Sequence, residues 1–173
     1  MDDETSDSAS SELESRPPGQ KDLVALCREL NALQARYLVC GGLAIIQAGY
    51  PRFTGDIDLL IDSALENEAR VYQALEILTD KAVRSLDPGD VAKFVVCRVA
   101  DEVVVDLMAS AGGIDYANAS TQVVIGVIDG VAIPFAAPIL LWQMKRHTHR
   151  AKDESDLVFL RQILEEQGIL PSD

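Results

Sequence analysis

Residues 40 to 62 read CGGLAIIQAGYPRFTGDIDLLID, and the fold is decided in this stretch. A glycine pair, Gly41-Gly42, follows the apolar run 37–40, and thirteen residues then separate Gly42 from Asp56, where a second apolar run begins. This pattern predicts a strand, a glycine turn into a short helix, and a second strand. Backbone N–H groups exposed at such a turn are suited to binding a phosphate.

The second strand carries two acids, Asp56 and Asp58, two positions apart. Alternate residues of a strand share one face, so these carboxylates should project side by side. Like charges in this arrangement repel each other and are costly unless they are neutralised. A divalent cation that prefers oxygen ligands, Mg²⁺ above all, is the usual partner of such a pair.

A third acid, Asp106, interrupts the apolar run 103–108. Strand interiors avoid aspartate, so its presence has two interpretations. It lies at a solvent-facing strand end or turn, or it is a third carboxylate directed at Asp56 and Asp58. Three converging acids are suited to phosphoryl-type chemistry, in which two anchor a metal and a triphosphate and the third activates an attacking hydroxyl.

Length and composition predict one folded domain with an acidic leader. The chain has 173 residues, 48% of them hydrophobic, which is enough for a substantial core, and a net charge of −13. Its first twenty residues include six acids and one base: Asp2, Asp3, Glu4, Asp7, Glu12, Glu14 and Arg16. We therefore expect a disordered tail over 1–20 and a single domain over 21–173, whose C-terminal helical part is 138–168.

The same composition restricts the partners and the location. An acidic protein is a poor general binder of nucleic acid, so any RNA would have to contact a local basic patch. No apolar stretch reaches the 18 residues of a membrane span, and an acidic N-terminus does not resemble a secretory signal. Three widely spaced cysteines are best interpreted as buried thiols in a reducing cytosol, which predicts a cytoplasmic protein without a membrane partner.

Hydrophobic periodicity and turn signals predict an α+β domain, with a mixed β-sheet core flanked by helices and two helices at the C-terminal end. Two strand pairs are predicted as hairpins, one closing near Ala100-Asp101 and the other at Asp129-Gly130. Ser63 and Glu66 form a capping-box pattern, and Asp62 is predicted to cap the same helix. The predicted elements are helix 22–36, strand 37–40, helix 43–48, strand 56–61, helix 63–79, strands 91–99 and 102–108, strands 123–128 and 131–135, and helices 138–146 and 153–167.

The glycine pair, the Asp-Ile-Asp and the distant Asp106 together resemble the nucleotidyltransferase superfamily of DNA polymerase beta. Within it, the block over 41–59 is most similar to small bacterial proteins related to AbiEii-type toxins, and lincosamide and aminoglycoside nucleotidyltransferases share a similar block. Segment 141–157 also resembles the AbiEii-type C-terminal motif. The similarity extends from about residue 22 to 167, and the fold it implies is nucleotidyltransferase-like.

The resemblance implies a role for each matching position. Gly41 and Gly42 would let the backbone approach the triphosphate of an NTP substrate. Asp56 and Asp58 would hold two Mg²⁺ (or Mn²⁺) ions, and Asp106 would bind one metal and help to deprotonate the acceptor hydroxyl. The reaction would transfer a nucleoside monophosphate and release pyrophosphate. The Val-Arg-Asp that follows the glycines in tRNA CCA-adding enzymes is absent, which argues against that activity.

Three further residues are candidates for nucleotide binding. Arg52 and Thr54 lie in the loop before Asp56, where they contact phosphate or only brace the turn. Lys145 matches the family motif within the basic cluster 145–152 and would neutralise the triphosphate or bind an RNA acceptor. The alternative is a basic face that balances acids such as Asp153 and Asp156. The two histidines of this cluster do not share a helical face, so zinc is not expected there.

Three functions remain open at this point. The first is an active nucleotidyltransferase acting on RNA or protein, with a toxin-like role. The second is a non-catalytic module that binds nucleotide or a partner, such as a cognate antitoxin or a second copy of the chain. The third is a small-molecule (antibiotic) nucleotidyltransferase. The sequence does not identify the acceptor, the base of the NTP or the oligomeric state.

Overall fold

The computed structural model of the chain describes residues 14–169. Its elements, in chain order, are α1 (Gln20–Ala32), β1 (Tyr37–Cys40), α2 (Gly41–Gln47), β2 (Asp56–Ile61), α3 (Leu65–Leu75), a 3₁₀ turn (Ala82–Ser85), α4 (Asp90–Lys93), β3 (Cys97–Ala100), β4 (Val104–Met108), β5 (Ser110–Ala111), β6 (Ile114–Asp115), α5 (Tyr116–Ala119), β7 (Val123–Ile128), β8 (Val131–Ala136), α6 (Pro138–Lys145) and α7 (Ala151–Glu166). The predicted α+β architecture with two C-terminal helices is confirmed.

Six of the strands form one mixed sheet in the order β3-β4-β2-β1-β8-β7. β2 lies inside this sheet, antiparallel to β1 and parallel to β4. Ile57, Leu59, Leu60 and Ile61 of β2 are fully buried, so both faces of the strand are covered beyond Asp58. The register places Asp58 directly opposite Asp106 of β4. Two acids that are 48 positions apart in the sequence are therefore cross-strand neighbours.

The helices are amphipathic and bury their apolar side against the sheet or against each other. In α1, Leu23, Leu26, Cys27 and Leu30 recur at helical spacing and are all buried. α1 packs against α3 and β8, α2 packs against β1, β2 and α6, and α6 packs against α7. α2 and α6 therefore bring the glycine pair and Lys145 to the same region as the N-terminal end of β2.

One predicted strand is wrong. The residues expected to form strand 91–99 instead begin as the short helix α4, and β3 starts only at Cys97. The reason is the buried carboxylate of Glu68, which accepts hydrogen bonds from the backbone N–H groups of Gly89 and Val91. These contacts satisfy amides at the start of the helix, and residues 94–96 then form an exposed connection to the strand.

The capping box predicted at Ser63 is also wrong, because α3 begins at Leu65 with Ala64 as its N-terminal cap. Asp62 does act near this end, since its carboxylate accepts a hydrogen bond from the Ala64 backbone N–H and forms an ion pair with Arg36. α3 ends at Leu75, four residues before the predicted end at Thr79.

The predicted acidic tail lies mostly outside the described residues, which begin at residue 14. Residues 14–19 form neither helix nor strand, and the backbone N–H of Arg16 donates a hydrogen bond to the carbonyl of Glu102. Across residues 14–169, no helix combines the length and the apolarity needed to cross a bilayer.

Candidate functional site

The three predicted acids converge. One carboxylate oxygen from each of Asp56, Asp58 and Asp106 can be chosen so that all three lie within 4.8 Å of one another. The strand geometry explains this, because Asp56 and Asp58 share a face of β2 and Asp106 is paired with Asp58 across the β2–β4 ladder. The two interpretations of Asp106 therefore resolve in favour of a third carboxylate directed at the other two. Asp106 is buried, while Asp56 and Asp58 are half-buried.

The environment of Asp56 and Asp58 opposes their ionisation. Burial, followed by the charges of Asp56 and Asp106, raises the pKa of Asp58 to about 7. Burial and the neighbouring Asp106 also raise the pKa of Asp56, although Arg98 acts in the opposite direction. Such shifts are expected where carboxylates are crowded and partly desolvated, and a cation placed among them would relieve their mutual repulsion.

A basic residue that the sequence did not single out, Arg98, contacts two of the three acids. Its Nε and Nη2 atoms donate to the two carboxylate oxygens of Asp106, both at 3.0 Å. Nη2 also donates to Asp56 Oδ2 at 3.2 Å. Arg98 lies opposite Asp106 in the β3–β4 ladder, so the pairing register places the guanidinium over the acids. The three acids raise the pKa of Arg98 further, and it remains fully charged.

The glycine pair closes tightly on the acids. Gly41 has φ +64°, which favours glycine, and a Cβ at this position would overlap the carboxylate of Asp58. A Cβ on Gly42 would lie 2.6 Å from Thr54 Oγ1. The hydroxyl of Thr54 donates to the Asp56 backbone carbonyl at 3.2 Å, so Thr54 braces the loop that leads into β2. Neither glycine of the turn has room for a side chain, Gly41 because of Asp58 and Gly42 because of Thr54.

Arg52 and Lys145 are tied to the last helix by ion pairs. Arg52 Nη2 lies 2.9 Å from Asp156 Oδ2. Lys145 Nζ lies 2.8 Å from Asp153 Oδ1 and 3.2 Å from Asp156 Oδ2. Asp153 and Asp156 are buried and balance the charges of these cations. This agrees with the alternative interpretation of the basic cluster, in which its residues pair with nearby acids. Burial alone would raise the pKa of Asp153, but hydrogen bonds from Lys145 and Thr148 outweigh it and lower that pKa to about 2.

All of the predicted site residues line one open cavity of about 810 Å³. The three acids and the glycine pair occupy one part of its wall. Its cationic residues are Arg52, Arg98, Lys145, Arg150 and Lys152, and its exposed apolar rim includes Phe53, Val95 and Val96. The volume is sufficient for a nucleotide with an adjacent acceptor group. A single cavity therefore combines carboxylates that could hold a cation, cationic side chains that could pair with phosphates, and apolar surface that could contact a nucleobase or an acceptor.

No protein-family model matches the chain, and no curated protein matches it. Similar solved structures exist. One is a Thermotoga maritima protein assigned as a nucleotidyltransferase, with 18% identity, a TM-score of 0.50, and coverage of 84% of this chain and 92% of the other. Another is an antigenic nucleotidyltransferase-like protein of Paracoccidioides brasiliensis, with 18% identity, a TM-score of 0.52, and coverage of 89% and 77%. At this identity the likeness establishes a nucleotidyltransferase-like fold.

Proposed function

We propose that the protein is a nucleotidyltransferase that transfers a nucleoside monophosphate from an NTP to a hydroxyl acceptor, with release of pyrophosphate. The observation that carries this proposal is the convergence of Asp56, Asp58 and Asp106 beside a glycine turn that leaves no room for a side chain. The two structural neighbours are named as nucleotidyltransferases, which is consistent with the proposal but bears on the fold alone.

The donor set fits Mg²⁺ or Mn²⁺. All three candidate ligands are carboxylates, hard oxygen donors of the kind these ions prefer, and no cysteine or histidine belongs to the group. Asp56, Asp58 and Asp106 would hold the metal. When bound, the metal would neutralise the triphosphate and stabilise the charge that develops during transfer.

The chain's own residues would position the reactants. Gly41 and Gly42 would allow the triphosphate to approach the backbone, and Arg52 and Lys145, which line the same cavity, would compensate phosphate charge. Asp106 would accept the proton of the acceptor hydroxyl, a role that requires its carboxylate to be released from Arg98. The ion pairs to Asp153 and Asp156 would hold Lys145 and Arg52 in place.

Within the superfamily we place the protein closest to the small bacterial AbiEii-type proteins, on the block over 41–59 and the C-terminal segment 141–157. This proposal implies a toxin-like enzyme in the cytoplasm whose acceptor is RNA or protein and whose partner is a cognate antitoxin. The exposed bases at the cavity, Arg150 and Lys152, are where an RNA acceptor would bind, although the chain as a whole is strongly acidic.

The test is transfer of label from each α-labelled NTP to total RNA, lysate protein and hydroxylated antibiotics, with Mg²⁺ present. We compare the wild type with Asp58→Asn and with Asp80→Asn, a control that removes an exposed acid outside the cavity. Asp58→Asn should lose activity by about a thousandfold or more, because both charge neutralisation and positioning fail. Asp80→Asn should keep wild-type activity.

Labelling at the same rate by Asp58→Asn and wild type would overturn the proposal, provided that circular dichroism shows both proteins folded. Calorimetry separates the non-catalytic alternative. Metal-dependent NTP binding with no pyrophosphate released over hours would mean a nucleotide-binding module instead of an enzyme.

A further inference from the structure

The contact between Arg98 and the acids is not explained by the chemistry proposed above. Its guanidinium forms a two-pronged pair with Asp106 and reaches Asp56 with the same Nη2 atom. Nη2 therefore bridges the Oδ2 atoms of Asp56 and Asp106, at 3.2 and 3.0 Å. These carboxylates belong to the group that would hold a divalent cation. A positive charge of the protein and a metal would thus need the same oxygen atoms.

We propose that Arg98 is an exchangeable counter-ion of the acid triad, displaced from Asp56 and Asp106 when a divalent cation binds. The inference rests on the proposed metal site. Arg98 is a positioning residue, since it acts through the acids. By competing for their oxygens it weakens the binding of a bare cation, and it releases Asp106 only when the cation is loaded.

The exposure of Arg98 makes the exchange feasible. Its side chain is 61% exposed, so it can swing into the cavity or the solvent without disturbing the core. Arg52 and Lys145 differ, because their side chains are only 22% and 10% exposed and are held by the buried acids of α7. Of the described cavity cations, Arg98 is the one in an ion pair with the triad, and its exposed side chain can leave when another cation takes its place beside the acids.

The strengths of the competing interactions favour the cation. The Arg98 end of the pair is solvent-exposed, so water screens its charge and its long side chain loses freedom on pairing, while the buried Asp106 and the two-pronged geometry strengthen the pair. A divalent ion has twice the charge and is compact enough to contact all three carboxylates at once. Within the described residues Asp58 forms no ion pair, and the charges of Lys145 and Lys152 only partly offset the burial and the neighbouring acids that raise its pKa, so a bound cation would add compensation.

A purely structural role is the alternative to be excluded. In that case Arg98 would simply link β3 to β4, and its removal would lower stability without changing cation affinity. The two roles differ in one measurable quantity, the affinity for Mg²⁺ or Mn²⁺ in the absence of nucleotide. This affinity can be measured without any catalysis by the protein.

The experiment titrates Mg²⁺ and Mn²⁺ into the full chain without NTP and follows both binding heat and thermal unfolding. The variants are Arg98→Gln, which removes the charge, and Arg98→Lys, which keeps the charge without the planar fork. The control is Arg84→Gln, which removes an arginine from an exposed ion pair with Glu76 outside the cavity. Asp58→Asn is included to test the metal site itself.

We expect Arg98→Gln to unfold at a lower temperature than wild type in EDTA and to gain more stability from added cation. It should bind the cation roughly fivefold more tightly or better, because the ion pair that competes for the acids is lost. Arg98→Lys should fall between the two, and Arg84→Gln should match wild type. Unchanged or weaker cation binding by Arg98→Gln, while Asp58→Asn loses binding, would overturn the exchange and leave the metal site intact. No cation binding by wild type or Arg98→Gln would overturn both.

Discussion

At the scale of single residues, the fold exerts its strongest electrostatic effect on Asp58. The backbone of Gly41 lies against its carboxylate, Asp56 and Asp106 are on either side, and burial raises its pKa to about 7. A carboxyl group with such a pKa is largely protonated under mildly acidic conditions. Both stability and metal binding should therefore depend on pH in the range where ordinary aspartates no longer titrate.

The stability of the wild type should fall as pH rises from 5 to 8 in EDTA, relative to Asp58→Asn. The folded chain holds the Asp58 proton more tightly than the unfolded chain, so the stabilisation is complete below the ordinary aspartate pKa and is lost as pH rises through about 7. Because Asp58 is half-buried, we expect a difference of about 2 kcal/mol between the two proteins over this range. Urea unfolding at a series of pH values measures it.

The control for this experiment is Asp80→Asn, whose exposed side chain lies outside the cavity and should leave the pH dependence as in wild type. Parallel pH profiles for wild type and Asp58→Asn would contradict the expectation. Added Mg²⁺ should flatten the wild-type profile above pH 7, since the metal then compensates the ionised carboxylates.

The place of the three acids in the site could be predicted from the sequence, but that of Arg98 could not. The reason is the position of the turn between β3 and β4. Asp56 and Asp58 share a face at any register, because two-residue periodicity is intrinsic to a strand. The partner of Asp106 depends on where the hairpin closes. Closure near Ala100-Asp101 would place Arg98 opposite Val103, whereas the observed pairing is centred on Glu102 and brings Arg98 opposite Asp106. A shift of the turn by one or two residues decides which side chain faces the site.

At the scale of elements, local signals determined which predictions were correct. The pair β7–β8 was predicted because Asp129-Gly130 is a strong turn signal, and both residues have positive φ in the structure. The stretch 91–99 was predicted as a strand because it is apolar. Its first part became α4 because the carboxylate of Glu68, more than twenty positions earlier, binds the backbone there. No local pattern carries this distant contact.

The helix α7 holds the basic side of the cavity through Asp156. Its carboxylate is fully buried and pairs with Arg52 and Lys145. We expect Asp156→Asn to lower the free energy of unfolding by about 3 kcal/mol, because Arg52 loses its ion pair and the buried Lys145 loses one of its two. The value lies at the low end for buried pairs, since Asp156 Oδ1 already lacks a hydrogen-bond partner within the described residues.

Urea unfolding followed by circular dichroism measures this loss. Glu154→Gln is the matched control, since Glu154 is exposed on the same helix and its change should stay within about 0.5 kcal/mol of wild type. Equal stability of the two variants would show that the pairs with Asp156 contribute nothing net, and that Lys145 is held by Asp153 alone.

At the scale of the whole molecule, the sheet has an unprotected edge. β7 pairs with β8 on one side, and within residues 14–169 no strand pairs with its other side. Val124, Ile125 and Val127 are 52%, 57% and 70% exposed, and the strand carries no charge. Long apolar edges of this kind favour pairing with another strand. The opposing factor is the net charge of −13, which makes two copies of the chain repel each other.

Salt screens the charge repulsion between two copies of the chain and does not weaken the burial of apolar surface. We therefore expect self-association through β7 to increase with ionic strength. Sedimentation velocity at 20 and 500 mM NaCl should show monomer at low salt and a concentration-dependent dimer at high salt, where the screening length falls to a few Å. Val127→Lys should remain monomeric in both, because a charge on an exposed edge strand opposes pairing. The matched control is Val158→Lys, which adds the same charge at a similarly exposed valine on α7, where the backbone is already hydrogen-bonded within the helix. If both substitutions abolish the dimer equally, the association does not involve the edge strand β7. If the wild type stays monomeric at high salt, charge repulsion is not what keeps this edge unpaired.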